Sequence, residues 1–264
     1  MEITVLGPLT ARVNGVSVVP TAAKPRQILS LLALQADRVV TVATLMEEIW
    51  GEDIPRSAAT TLQTYILQLR RKIAAALDGD PTRQAKDVLV TRHGGYLLQV
   101  RPGQVDAHEF TRITAAGRAA YEAGDYHAAS ELLGGALDMW TGSALVDVRV
   151  GTVLELDVLR MEEDRIAALE LRVDADLRLG RHMEIVSELH VLVARHPMHE
   201  NFCAQLMTAL HRSGSAWRAL EAYQRLRETL VDELGLEPSA RLRRLHQAVL
   251  SADPALDLPV TAAG

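Results

Sequence analysis

Over its first hundred residues the chain changes hydrophobic period twice. Ile3-Thr4-Val5-Leu6, Leu9 to Val13 and Val16 to Val19 are short alternating or apolar runs, separated by Gly7-Pro8 and Asn14-Gly15. Alternation suits half-buried strands, and Asn-Gly accepts the positive φ of a type I′ turn, so this segment predicts a small antiparallel sheet. Pro25 stands where a first-turn proline fits, and Ile28, Leu29, Leu31, Leu32 and Leu34 follow at helical spacing to about Gln35. Thr41 opens a second short helix with Leu45, Met46, Ile49 and Trp50 apolar and Gly51 at its end. Glu52-Asp53-Ile54-Pro55 cannot continue that helix and predicts a loop. A third helix covers Arg56 to Leu77. Turning about 100° per residue, it gathers Leu62, Ile66, Leu69 and Ile73 on one face. Ser57, Thr60, Thr64, Leu67, Gln68 and Arg71 fall on the opposite face, with Arg70 and Lys72 on its shoulders. After a polar link, Val88 to Thr91 and Tyr96 to Val100 predict a second hairpin around Arg92-His93-Gly94-Gly95. Sheet, three helices and hairpin, in that order over residues 1–104, describe a winged helix-turn-helix with an added N-terminal sheet.

From Asp106 onward the period is helical and stays so. Three glycines open similar stretches: Gly124-Asp-Tyr-His-Ala-Ala, Gly180-Arg-His-Met-Glu-Ile and Gly214-Ser-Ala-Trp-Arg-Ala. The fifth residue after each is Ala129, Ile185 or Ala219, the ninth Leu133, Leu189 or Tyr223, and the twelfth Ala136, Leu192 or Leu226. Gly180 and Gly214 are 34 residues apart, the tetratricopeptide period, whereas Gly124 and Gly180 are 56 apart and leave room for an insert around Trp140-Thr-Gly-Ser-Ala-Leu. Small residues at a helix start and large ones a turn later let antiparallel helix pairs stack. The expected fold is mainly α: an α+β winged helix-turn-helix over 1–104, an all-α tetratricopeptide-like stack over 105–252, and a tail over 253–264.

Composition adds an asymmetry. The chain of 264 residues carries a formal charge of −6, yet residues 1–104 hold 12 Lys+Arg against 9 Asp+Glu, and residues 105–264 hold 16 against 25. A slightly basic half joined to an acidic one points to a polyanion met by the first half alone. The single Cys203, flanked by Phe202 and Leu206, reads as a buried small hydrophobe in a reducing compartment. No apolar run approaches the roughly 18 residues of a spanning helix, and Met1 to Pro8 is too short for a signal peptide, so the expectation is a cytoplasmic protein with no membrane partner.

The third helix gives the charge asymmetry a use. A helix entering the major groove needs short hydrogen-bonding side chains, amides that pair with adenine and arginines that grip guanine or phosphate. Thr60, Thr64, Gln68 and Arg71 supply that set on one face, and Arg92 at the tip of the second hairpin is a long cation suited to the flanking minor groove or backbone. A polar face opposite an apolar stripe also describes any surface helix, and the basic triplet Arg70-Arg71-Lys72 also describes a helix C-terminal half that complements the dipole. The ordered set of hairpin, three helices and second hairpin favours DNA contact over those readings.

The chain resembles a known family. Ile3-Thr-Val-Leu-Gly-Pro-Leu, Lys24-Pro-Arg-Gln, Leu45-Met-Glu-Glu-Ile-Trp-Gly, Leu69-Arg-Arg-Lys-Ile, Leu89-Val-Thr-Arg and Gly95-Tyr-Leu-Leu are similar to the motif string of the Streptomyces antibiotic regulatory proteins. Asp106-Ala-His-Glu-Phe, Gly124-Asp-Tyr, Trp140-Thr-Gly and Glu233-Leu-Gly-Leu-Glu-Pro-Ser resemble the bacterial transcriptional activator domain that accompanies them. The resemblance implies an OmpR-type winged helix that binds direct repeats of double-stranded DNA as a head-to-tail pair, overlaps the −35 region of a promoter and recruits the RNA polymerase holoenzyme with its sigma factor. On that pattern Thr64, Gln68 and Arg71 face bases, Arg56, Thr60 and Arg70 face phosphates, Lys72 lies beside them, and Arg92 is the wing-tip arginine. Glu52 and Asp53, in the loop Gly51 to Pro55, become candidate polymerase contacts.

Other chemistries find less support. His196-Pro197 breaks the helix between His190 and His199, so the three histidines form no paired metal face, and no nucleophile motif accompanies them. No Gly-x-x-x-x-Gly-Lys-Ser/Thr occurs, so neither nucleotide binding, another cofactor nor enzymatic activity is expected. Trp50, Trp140 and Trp217 fall in apolar patterns and are expected in the core. The alternative of another class is a helical-repeat scaffold or ligand-sensing protein with only incidental DNA affinity.

Overall fold

The computed structural model of the chain describes residues 1–77 and 84–257. Part of the polar link, at 78–83, and the end of the tail, at 258–264, lie outside the described residues. The chain divides into two compact units, Met1–Ala115 with Gly135–Ile166, and Ala116–Gly134 with Ala167–Gly264.

The first unit opens with β1 (Glu2–Thr4), β2 (Thr10–Val13) and β3 (Val16–Ser17), an antiparallel sheet in the order β1-β2-β3. Asn14 and Gly15 take φ of 49° and 78°, the left-handed pair a type I′ turn requires, and Val13 pairs with Val16 across it. Three helices follow: α1 (Ala23–Leu34), α2 (Val42–Trp50), capped by the Thr41 hydroxyl, and α3 (Ala58–Ala76). A two-residue strand β4 (Val40–Thr41) precedes α2, and a single turn α4 (Ala85–Val88) leads into β5 (Leu89–Arg92) and β6 (Gly95–Leu98). The strand order is β4-β6-β5, so the hairpin is held from behind by the segment between α1 and α2. A Cβ on Gly95 would lie 2.2 Å from the Val40 carbonyl oxygen, and glycine there lets β6 close on β4. The two short elements β4 and α4 carry too few residues to show a period in sequence.

Ile66, Leu62, Leu69 and Ile73 of α3 are all buried, as are Ile28, Leu29, Leu31 and Leu32 of α1 and Leu45 of α2. At about 1.5–3 kcal/mol for each fully buried Leu or Ile, the α3 stripe alone outweighs any propensity effect in fixing that helix.

Residues beyond Gln104 complete this unit, which is why its boundary does not fall at the motif break. Ile3 donates its N–H to the Gln104 carbonyl at 2.8 Å. α5 (Asp106–Glu122) begins with a carboxylate that accepts the N–H groups of Val5 at 2.8 Å and Leu6 at 3.0 Å. Thr141 and Leu145 donate to the carbonyls of Leu6 and Val5, each at 2.9 Å. Trp140 is buried in the same unit, its ring edge-on to Phe110 at 5.5 Å. The Glu48 carboxylate of α2 caps α7 (Thr152–Arg178), accepting from Gly151 at 2.6 Å and Leu154 at 2.9 Å. Burial raises the carboxyl pKa of both Asp106 and Glu48, against the lowering effect of those backbone bonds.

The second unit contains α6 (Tyr126–Leu137) up to Gly134, α8 (His182–Arg195), α9 (Glu200–Arg212), α10 (Ala216–Leu234) and α11 (Ala240–Leu250), with the ends of α5 and α7. Gly124, Gly180 and Gly214 have φ of 82°, 78° and 74°. In each case the N–H after the glycine reaches back five residues: Asp125 to Ala120, Arg181 to Asp176 and Ser215 to Leu210, at 2.9 to 3.0 Å. That is one Schellman helix stop used three times. All nine residues read at the fifth, ninth and twelfth places after the glycines are buried, Ala136 within the first unit and the others within the second.

Cys203 is buried and its thiol pKa is pushed up to about 12 by that burial. His199 caps α9 through Nδ1 and sets Nε2 3.2 Å from Glu170, while His190 meets the Arg218 guanidinium at 3.0 Å. Trp217 corrects a sequence expectation, for it is 69% exposed. It lies two residues before Ala219, and at about 100° per residue the stripe Ala219, Ala222, Tyr223, Leu226 and Leu230 turns it to the far side of α10. Trp50 is half-buried, with the Lys24 ammonium 5.0 Å from its ring centre. Among the described residues no helix is long and apolar enough to cross a membrane.

Candidate nucleic-acid interface

α3 presents a row of polar side chains on the face away from its buried stripe. Thr60, Thr64, Gln68 and Arg71 are all exposed, and Arg56 and Ser57 just before the helix are exposed as well. Residues at i, i+4, i+8 and i+11 drift only slightly around an α-helix, so the four lie nearly in line. Only Thr64 uses a donor internally, giving its hydroxyl proton to the Thr60 carbonyl at 3.1 Å. Arg56, Gln68, Arg71 and Lys72 have no side-chain partner among the described residues. Leu67, 48% exposed, shares the same side and offers an apolar contact amid the donors.

Gln68, Arg71 and Lys72 also line a cleft of about 230 Å³ whose other wall is Pro20, Thr21 and Ala22, immediately ahead of α1. Two cations thus border a concavity open to solvent at the C-terminal half of the exposed row. Sequence periodicity could find the cations but not the opposite wall, which lies about fifty residues earlier in the chain.

Arg70, to which the family pattern gives a phosphate-facing place, makes hydrogen bonds within the first unit. Its guanidinium turns onto the hairpin, Nε and Nη2 donating to the Leu89 carbonyl at 2.9 and 2.7 Å and Nη2 also to the Thr91 hydroxyl at 2.8 Å. The side chain is half-buried and ties the middle of α3 to β5. On the helical wheel it sits at the shoulder between the buried stripe and the open row, and the Leu89 carbonyl, on the edge strand β5, draws it to the buried side.

Arg92 is exposed at the end of β5 and pairs with Gly95 across the two-residue turn His93-Gly94. Gly94 takes the positive φ of 75° on which that turn depends. Arg70 therefore sets the hairpin that carries Arg92 against the helix that carries the exposed row. In the loop between α2 and α3, Glu52, Asp53, Ile54 and Pro55 are all exposed. The end of α2 that launches this loop is fixed by the bonds of Glu48 to the start of α7.

Residues 17–98 match the family described as transcriptional regulatory protein, C terminal, and residues 105–250 match the bacterial transcriptional activator domain. The chain is 55% identical over 257 residues to the regulatory protein DnrI of Streptomyces peucetius, covering 97% of this chain and 94% of that protein. It is 36% identical to the transcriptional regulator RedD of Streptomyces coelicolor, covering 98% of this chain and 73% of RedD. With the regulatory protein AfsR of the same organism it shares 38% identity over 96% of its own length but only 24% of AfsR. The solved structure of Mycobacterium tuberculosis EmbR in complex with a low-affinity phosphopeptide superposes with a TM-score of 0.88 at 30% identity, covering 99% of this chain and 66% of EmbR. With the activator domain matching more than half of the chain and a regulator of near-equal length at 55% identity, the chain belongs to the Streptomyces antibiotic regulatory proteins, transcriptional activators built on an OmpR-type winged helix.

Proposed function

We propose that this activator reads direct repeats near the −35 region of its promoters as a head-to-tail pair, and that it recruits the RNA polymerase holoenzyme, sigma factor included, to a gene cluster for secondary metabolism. The observation that carries the reading is the open row on α3, where hydroxyls, an amide and a guanidinium stand in line, the Gln68 amide and the Arg71 guanidinium with no partner among the described residues. Thr64, Gln68 and Arg71 meet base edges; Arg56, Thr60 and Lys72 meet phosphates; Arg92 reaches the flanking backbone or minor groove. Arg70 supports the interface by holding the wing. Phosphate contacts give most of the affinity and the helix face most of the choice of sequence. Two such winged helices side by side on a repeat gain effective concentration, so modest single-site affinity suffices. The exposed acids Glu52 and Asp53 are the candidate polymerase contacts, since they stand on a loop whose base is pinned by Glu48.

The test is selection from a pool of random DNA duplexes at physiological salt, followed by sequencing of what the purified chain retains. Enrichment of a tandem direct repeat is the expected result. Retention without an enriched motif, or none, would sink the reading in favour of a helical-repeat scaffold.

A further inference from the structure

We infer that the second unit carries a receiving groove for an acidic peptide segment. The groove encloses about 800 Å³ between the ends of α5 and α7 and helices α6, α9 and α11. That volume lies within the range of ligand-binding clefts. Its chemistry runs against the charge of its surroundings. Residues 105–264 hold more acids than bases, 25 to 16, yet Arg118, Arg178, Arg212 and Arg241 converge on this one concavity.

The acids that face the same space are Glu170, Asp174 and Asp257. Glu170 is taken up by Asn201 at 3.1 Å and His199 at 3.2 Å, and Asp174 by the Tyr121 hydroxyl and by Arg178 at 2.7 Å. The arginines are less fully used. Arg118 is exposed and has no partner among the described residues, and Arg241 gives one bond, from Nη1 to the Asn201 side-chain oxygen at 3.2 Å. Two guanidiniums are thus left with donors turned to an open groove, and a carboxylate is the acceptor they match best.

The chain itself shows how the groove handles a peptide. Pro254–Leu256 forms a 3-10 turn at one end of the groove, where Arg212 Nε donates to the Leu256 carbonyl at 2.8 Å. Asp257, the third acid, belongs to this segment and lies 3.8 Å from His211 Nε2. Carbonyl to guanidinium is the contact a peptide would repeat along the remaining length, with its carboxylates on Arg118 and Arg241. Leu171, Leu177 and Leu245, which also line the space, suit the apolar parts of a peptide better than those of a bare anion.

The test uses the full chain and a fluorescein-labelled hexaglutamate peptide, with binding followed by fluorescence anisotropy at low salt. Wild type is expected to bind it and to ignore hexalysine. The double variant R118E/R241E should weaken binding by about tenfold or more, since it replaces two charge-assisted contacts with repulsions. Arg71→Ala, in α3 of the first unit and not among the groove's lining residues, should leave the peptide affinity unchanged. Should R118E/R241E fail to fold, R118Q/R241Q serves in its place and should weaken binding in the same direction. Equal binding by wild type and the folded double variant, absence of binding, or equal retention of a labelled hexathymidylate would each overturn the assignment.

Discussion

Helices α3 and α10 are each 19 residues long and each buries a single stripe, but their outer faces are built on opposite rules. On α10 several charges are met from within the protein: Arg225 pairs with Glu221, Gln224 donates to Glu228 at 2.9 Å, and Arg227 grips Glu237 beyond the helix end at 2.6 Å. On α3 there is no Asp or Glu at all, and the outward Gln68, Arg71 and Lys72 keep their donors free of described partners. Self-neutralised faces gain a few tenths of a kcal/mol per pair and offer little to a polyanion. A face without acids forgoes that gain and retains its field for an external acceptor. The difference separates a helix that serves the fold on both sides from one that serves it on a single side.

Substitutions can break or sharpen this contrast. Arg71→Ala should cost about 1–3 kcal/mol in affinity for the preferred DNA site while the denaturation midpoint stays put, as isotherms and urea melts on the same sample would establish. An unchanged isotherm removes Arg71 from the contacts. A smaller and mixed effect is expected of Arg70→Ala: loss of the bonds to Leu89 and Thr91 lowers stability by about 1 kcal/mol, and the freed wing weakens DNA binding as well. If affinity fell with no change in the melt, Arg70 would return to the phosphate contacts. Arg225→Ala on α10 should do least, altering stability by no more than about 0.5 kcal/mol and DNA affinity not at all. A measurable loss of DNA affinity there would erase the contrast between the two helices.

Much of this was legible in the chain, and the reasons are local. The α3 stripe repeats over several turns, Asn14-Gly15 names its own turn, and three glycines mark one helix stop three times, so each signal lies within a window where period or backbone preference dominates. What escaped was set by partners far along the chain. Arg70 looked like its basic neighbours until the Leu89 carbonyl, nineteen residues on, claimed it. Asp106 and Glu48 read as ordinary acids, yet each accepts backbone donors about a hundred residues away. Hydrophobicity alone puts Trp217 inside, although its helical phase relative to Ala219 points outward. The groove arginines lie on different helices and share no spacing, so only folding brings Arg118 and Arg241 to one concavity.

The make-up of the first unit bears on how relatives of this chain can be recombined. Its boundary crosses the polypeptide three times, after Ala115, after Gly134 and after Ile166. A gene exchange that joins one family member's first 104 codons to another's remainder must therefore re-create the seats of Asp106 on Val5 and Leu6 and of Glu48 on Gly151 and Leu154 in the hybrid. Exchanging Gln68, Arg71 and Lys72 of α3 alone disturbs none of these seats, because those side chains have no partner among the described residues.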